Sequence, residues 1–206
     1  DVAAAGNETA LYVYNMLGME FGTGATNGHA AGSAGELLRK ITVPEGVGGL
    51  SEPTLVDSDF DGLVDVAYAG DHGGNMYRFD LRGQNPGDWT VSRVYKGVTS
   101  QPITAAPAVS RINANHYVVI FGTGQDIYQT DLDNKDQQAV YGIYDHLDKE
   151  AADAAAADLQ VQTMTVQDGA IYLTDEKVDE DTEKGWMFNL AEGGERVVVK
   201  PTMLLR

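Results

Sequence analysis

The nine residues Asp57-Ser-Asp-Phe-Asp-Gly-Leu-Val-Asp65 place carboxylates at positions 1, 3, 5 and 9 of one short stretch, with glycine at position 6. Calcium takes about six to eight hard oxygen ligands at roughly 2.3–2.6 Å in a flexible shell. Alternate residues of a tight turn converge their side chains on one centre. Gly62 permits the sharp bend and turns the Leu63 carbonyl towards that centre, and Asp65 closes the shell. The spacing follows the first nine positions of an EF-hand loop. Position 12, where an EF-hand carries a bidentate Glu, is Tyr68. The flanks, Pro53–Val56 and Val64–Ala69, have the composition of strands. The expectation is therefore a Ca2+ loop joining two strands of a hairpin, with Asp57, Asp59, Asp61, the Leu63 carbonyl and Asp65 as ligands. An ion-free acidic turn is the competing reading, in which the four carboxylates repel one another. Magnesium suits the pattern less, because it demands a stricter octahedron.

The rest of the chain supplies the strands that hold such a loop. Short runs rich in β-branched and aromatic residues recur between Gly, Asn and Asp: Leu11–Tyr14, Glu36–Val43, Val64–Tyr68, Met76–Phe79, Trp89–Tyr95, His116–Phe121, Ala139–Tyr144, Gly169–Leu173, Trp186–Leu190 and Glu195–Val199. This is the signature of an all-β protein. One segment departs from it. Asp148 to Leu159 is Ala-rich and reads as a short helix on the surface, an insertion. Asp175 to Lys184 reads as an acidic, mobile loop.

The strands also repeat. Pro53-Thr-Leu-Val leads through a strand ending Ala69-Gly-Asp71 to Met76-Tyr-Arg-Phe-Asp80, and Pro107-Ala-Val-Ser leads through one ending Phe121-Gly-Thr-Gly124 to Val140-Tyr-Gly-Ile-Tyr-Asp145. Asn15, Asp80 and Asp145 close equivalent strands at intervals of 65 residues (80 − 15 and 145 − 80). A further Pro-led start stands at Pro201–Leu205. Units of this length, each of about four short strands, indicate blades of a β-propeller. Two units are complete, so the expected architecture is a partial propeller of four-stranded antiparallel blades, one domain over 1–206 that belongs to a longer propeller. A β-sandwich is the alternative. Tyr14, Tyr77, Phe79, Tyr141, Tyr144 and Trp186 fall at corresponding strand positions and are expected to pack between blades.

Other chemistry is sparse. The 206 residues carry 14 Lys and Arg against 31 Asp and Glu, a net charge of −17. That balance opposes binding to a nucleic-acid backbone or docking on an anionic membrane. No cysteine is present, which removes disulfides, thiolate metal sites and a Cys nucleophile. No apolar run reaches the ~18–20 residues of a membrane span. The four histidines, His29, His72, His116 and His146, show no paired spacing and read as isolated surface or satisfied residues. Asp131–Asp136 reads as a solvated loop. Gly22-Thr-Gly24 and Gly122-Thr-Gly124 lack the Lys-Ser/Thr of a phosphate loop. Gly70–Gly74 reads as a hairpin turn.

The stretch from Pro53 to Leu81 resembles the C-terminal propeller of the PilC/PilY family of type IV pilus biogenesis factors and tip adhesins. The resemblance continues in order through Gln101–Val109, Phe121–Gly124, Val140–Asp145, Gly185-Trp186 and Gly194–Val198, and upstream through Ala10–Asn15 and Gly35–Leu38. Ala25–Ala34 and the Ala-rich segment look like insertions. The resemblance implies a non-enzymatic protein outside the cell, at the pilus tip or outer membrane of a Gram-negative bacterium. It implies assembly with minor pilins, support of pilus extension against retraction, contact with a host or abiotic surface, and regulation by calcium at Asp57, Asp59, Asp61, Leu63 and Asp65. Two alternatives remain. One is an integrin-like or lectin-like calcium propeller binding a protein or glycan, although the second unit carries Arg111–His116 where a repeated loop would stand. The other is a propeller of the quinoprotein dehydrogenase kind, whose metal would draw ligands from several blades.

Overall fold

The computed structural model describes residues 8–16 and 34–203. The Gly22–Gly24 motif, His29, residues 25–33 of the first insertion and residues 204–205 of the last Pro-led start lie outside them.

Strand β1 (Ala10–Asn15) pairs antiparallel with β2 (Glu36–Thr42). Strands β3 (Thr54–Val56), β4 (Val66–Gly70), β5 (Met76–Asp80) and β6 (Thr90–Tyr95) form a four-stranded antiparallel sheet in chain order. The second sheet begins in the same way with β7 (Ala108–Arg111), β8 (His116–Gly122) and β9 (Ala139–His146). The chain then leaves it for β10 (Gln160–Val161) and the hairpin of β11 (Met164–Gln167) and β12 (Ala170–Leu173). It returns as β13 (Gly185–Asn189), which lies beside β9 and carries β10 on its outer edge, giving the order β10-β13-β9-β8-β7. The strand around Trp186 is thus the fourth strand of the second unit, far along the chain from the Pro107–Asp145 stretch in which the repeat is visible. Its register demands glycine opposite. A Cβ on Gly142 would stand 2.3 Å from the Trp186 ring, directly across the pair. Glu195–Val199 forms no strand and attaches through the Val197 amide to the Thr123 carbonyl at 2.9 Å.

Alternation along β4 and β5 divides the core. Ala67, Ala69, Tyr77 and Phe79 face Ile41 and Val43 from the β2 side, together with Trp89. Val66, Tyr68 and Met76 face Tyr117, Val119, Phe121, Tyr141 and Ile143 of the second sheet. Successive strand residues point to opposite faces, so one strand serves both neighbours. Each fully buried aromatic contributes about 1.5–3 kcal/mol. Tyr77, Phe79 and Tyr141 are buried as expected, while Tyr14 is 51% exposed and Tyr144 and Trp186 are only partly covered.

The Ala-rich helix does not form. Of Asp148–Leu159 only Ala156–Asp158 makes a single 3-10 turn. The segment instead runs alongside β6: the Ala154 amide donates to the Val94 carbonyl at 2.9 Å, and the Lys96 amide to the Ala154 carbonyl at 2.7 Å. Ala154 is fully buried, and Asp153 reaches it through a left-handed backbone, φ 42°. An isolated helix of about twelve residues is marginal in water. Close pairing with a neighbouring strand, open to a side chain as small as alanine, outweighs that propensity.

Between the two sheets lies an ion pair. Arg78 on β5 donates through Nη1 to Asp145 Oδ1 and Oδ2 at 2.9 and 3.1 Å, and to the His146 carbonyl at 3.0 Å. The Tyr68 hydroxyl donates to Asp145 Oδ2 at 2.7 Å. Burial, with the Asp145 charge beside it, pushes the Tyr68 phenol well above its ordinary pKa. Asp145→Asn should therefore cost about 3–5 kcal/mol, because it leaves a buried guanidinium without its counter-charge. Urea denaturation measures this, and a loss below ~1 kcal/mol would show the pair to be dispensable.

Candidate metal centre

The loop 57–65 joins β3, an edge strand, to β4. Its acidic residues fold it from within. Asp57 accepts the Phe60 amide on Oδ1 at 2.7 Å and the Gly62 amide on Oδ2 at 2.9 Å. Asp59 accepts the Asp61 amide at 3.1 Å, and Asp61 accepts the Leu63 amide at 2.8 Å. Short Asp side chains bond amides two or three residues on, which is why they populate such turns. Gly62 adopts φ 91° and Phe60 φ 65°. Two left-handed residues so close reverse the chain within the hairpin.

Asp57, Asp59 and Asp61 each present a carboxylate oxygen, all within 4.8 Å of one another. These are three of the five residues the spacing selected. Asp65 takes a different part. Its Oδ2 accepts the Ser58 amide at 2.7 Å and the Ser58 hydroxyl, so it ties the start of the loop to its end. Its own amide donates to the Val56 carbonyl at 2.9 Å. Leu63 follows Gly62 with its side chain 43% exposed. The oxygen-only donor set of the three converged carboxylates suits a hard cation. The Arg111 guanidinium sits 4.9 Å over the exposed Phe60 ring, so the end of β7 in the second sheet touches the loop tip.

Asp131, from the second acidic stretch, is buried rather than solvated. It accepts Gln125 Nε2 at 2.8 Å and the Ile127 and Tyr128 amides at 2.9 and 2.8 Å, and these donors, Gln125 first, hold its pKa below the usual carboxylate value. Gly70–Gly74 is a hairpin turn as expected, built around buried Asp71, which accepts the Val47, Gly73 and Asn75 amides, each at 2.9 Å.

The histidines are not all isolated. His116 and His146 are directly paired across β8 and β9, with rings stacked at 4.1 Å. With Glu180 they form a second cluster of potential ligand atoms within 4.8 Å of one another. Burial, with His146 next to it, lowers the His116 pKa. No spacing in the sequence marks this pair, since the strand register alone unites residues 30 positions apart (146 − 116).

A propeller-type blade pair with an acidic turn on one blade defines the class: an all-β, β-propeller-like protein. Residues 1–177 match the model of the PilY1 beta-propeller domain, and the chain belongs to that family. It is 37% identical to the type IV pilus biogenesis factor PilY1 of Pseudomonas aeruginosa PAO1, covering 65% of this chain and 14% of that protein. It is 31% identical to a PilY1 homolog of Xylella fastidiosa, covering 68% of this chain and 12% of that protein. Among solved structures it is similar to the C-terminal domain of Pseudomonas aeruginosa PilY1, with a TM-score of 0.66 at 28% identity over 82% of this chain and 46% of that one. The chain spans about an eighth of the length of these curated relatives. No helix among the described residues is long and apolar enough to cross a membrane.

Gly62→Ala should lower stability by about 1 kcal/mol. Its Cβ meets nothing within 4 Å, so the cost comes from the left-handed backbone alone. Thermal unfolding in the presence of a chelator checks this, and an unchanged midpoint would mean that the turn relaxes freely.

Proposed function

We propose that this chain is a calcium-binding, non-enzymatic module of a type IV pilus biogenesis factor. One observation carries the calcium reading: Asp57, Asp59 and Asp61 converge at the β3–β4 turn within a chain of the PilY1 propeller family. In this reading the three carboxylates supply the first ligands, the Leu63 carbonyl the next, and Asp65 contributes the oxygen it does not spend on Ser58. The ion offsets the repulsion among the carboxylates and fixes the loop tip against Arg111 of the neighbouring sheet. The module works outside the cell, at the pilus tip or outer membrane of a Gram-negative bacterium. There it assembles with minor pilins, supports extension against retraction and meets a host or abiotic surface. The relatives' names as pilus biogenesis factors support that setting.

Calcium then acts by linkage, stabilising the folded state by RT ln(1 + [L]/Kd), about 2.7 kcal/mol at a hundredfold excess over Kd. For a domain of this size that is a rise in Tm on the order of 5–10 °C. Calorimetric titration of chelator-treated protein should give one calcium site, absent in Asp61→Ala, and the Tm should rise in parallel. A wild-type Tm indifferent to calcium would sink the proposal.

A further inference from the structure

The excursion between β9 and β13 brings a carboxylate to the histidine pair. The turn at Asp179 is closed by its own bonds: the Glu183 and Thr182 amides donate to the Asp179 carbonyl at 2.7 and 3.0 Å, and the Asp179 amide to Glu183 Oε2 at 2.7 Å. Glu180 stands at the corner of that turn, in a stretch whose sequence reads as a mobile loop. Its Oε2 lies 3.7 Å from His116 Nε2. That is too long for a hydrogen bond. It is close to the ~3.3 Å that separates two ligands of a tetrahedral ion with bonds of about 2.0–2.1 Å.

His116 is 4% exposed, and its Nε2 has no hydrogen-bond partner. Leaving such a nitrogen unpaired carries its full desolvation cost. The His146 ring stacks on it, and a cavity of about 190 Å³ lined by Tyr144, His146, Glu180 and Glu183 opens beside them. Two cations, Lys149 and Lys184, also line the cavity. Lys184 is engaged elsewhere, donating to the Ala152 carbonyl at 2.9 Å and lying 3.6 Å from Asp158.

We propose that His116, His146 and Glu180 form a binding site for a divalent transition-metal ion, with zinc as its first candidate. Two imidazoles and one carboxylate are a borderline donor set that suits zinc and its first-row neighbours and discriminates against calcium. Solvent in the cavity completes the coordination. The bound ion satisfies the buried Nε2 and adds a clip between the excursion and β8 and β9, beside the backbone bonds that Lys184 makes with Tyr144 and Asp158. The site shares no ligand with the loop 57–65, so each stands or falls separately.

The test is calorimetric titration of this chain with zinc chloride, after chelator treatment and with calcium in excess to occupy any hard-oxygen site. Wild type should bind one zinc ion. His146→Gln and Glu180→Gln should each weaken binding by at least about tenfold, and Asp61→Ala should not. Both diagnostic substitutions lie on solvent-reaching side chains, and circular dichroism establishes that the variants are folded. Cobalt substitution should give a visible d–d absorption that His146→Gln removes. No zinc binding by wild type up to about 100 μM, or binding indifferent to both substitutions, would overturn the site.

Discussion

Arg78 and Asp145 meet where the two sheets face each other, and the second sheet's long excursion is organised around them. A buried guanidinium is tolerable when its charge is paired and most of its donors are occupied, as here, where Nη1 and Nη2 are engaged and only Nε is not. Asp145 supplies the charge, and the His146 and Lys149 carbonyls take further donors at 3.0 and 3.1 Å. The first carbonyl belongs to the last residue of β9 and the second to the segment just after it, so the pair fixes both the end of that strand and the direction in which the chain departs. The departing segment is then bound along its length to the first sheet. Arg82 donates to the Leu147 carbonyl at 2.9 Å, Arg93 engages Asp153 at 2.6 Å, and Ala154 exchanges bonds with β6. Residues 146–154 therefore act as a strap between blades. The Arg93–Asp153 contact is surface-exposed and adds little by itself. Leu147 and Ala154 anchor the strap in the shared core, where both are buried.

What the sequence makes legible follows from how locally each feature is determined. The acidic turn is legible because carboxylates at alternate positions of one loop depend on a few consecutive dihedrals. Asp57, Asp59 and Asp61 converge through bonds that never leave the loop. The strands are legible for a similar reason, since β-branched runs between turn residues mark them one at a time, and the 65-residue spacing of Asp80 and Asp145 places them in register. Asp65 shows the limit. Its position in the pattern suggests a ligand, and spacing alone does not show that one of its oxygens also holds the Ser58 amide and hydroxyl.

Three elements that the sequence misplaces depend on pairing between distant segments. Asp148–Leu159 has helical composition, yet its fate is set by β6, more than 50 residues earlier. Trp186 belongs to the second blade because Gly142 leaves room for its ring, a match across 44 positions (186 − 142). His116 and His146 form a pair only because β8 and β9 align in a particular register, and a slip of one residue would send the two rings to opposite faces. Single-residue spacing rules have no access to such coincidences.

The two candidate centres differ in the same respect. The acidic loop is self-contained: its carboxylates hold the turn through backbone amides, so the loop has a defined shape whatever it binds. The histidine cluster takes one residue from each of two adjacent strands and one from a turn more than 30 residues further along. Its geometry depends on β9 ending where Arg78 and Asp145 hold it, and on β13 returning after the Asp179 turn. An ion there would couple three separate stretches of chain, whereas an ion in the loop orders one. The blade-to-blade ion pair thus bears directly on the second centre, through His146, the residue next to Asp145, and leaves the shape of the acidic turn untouched.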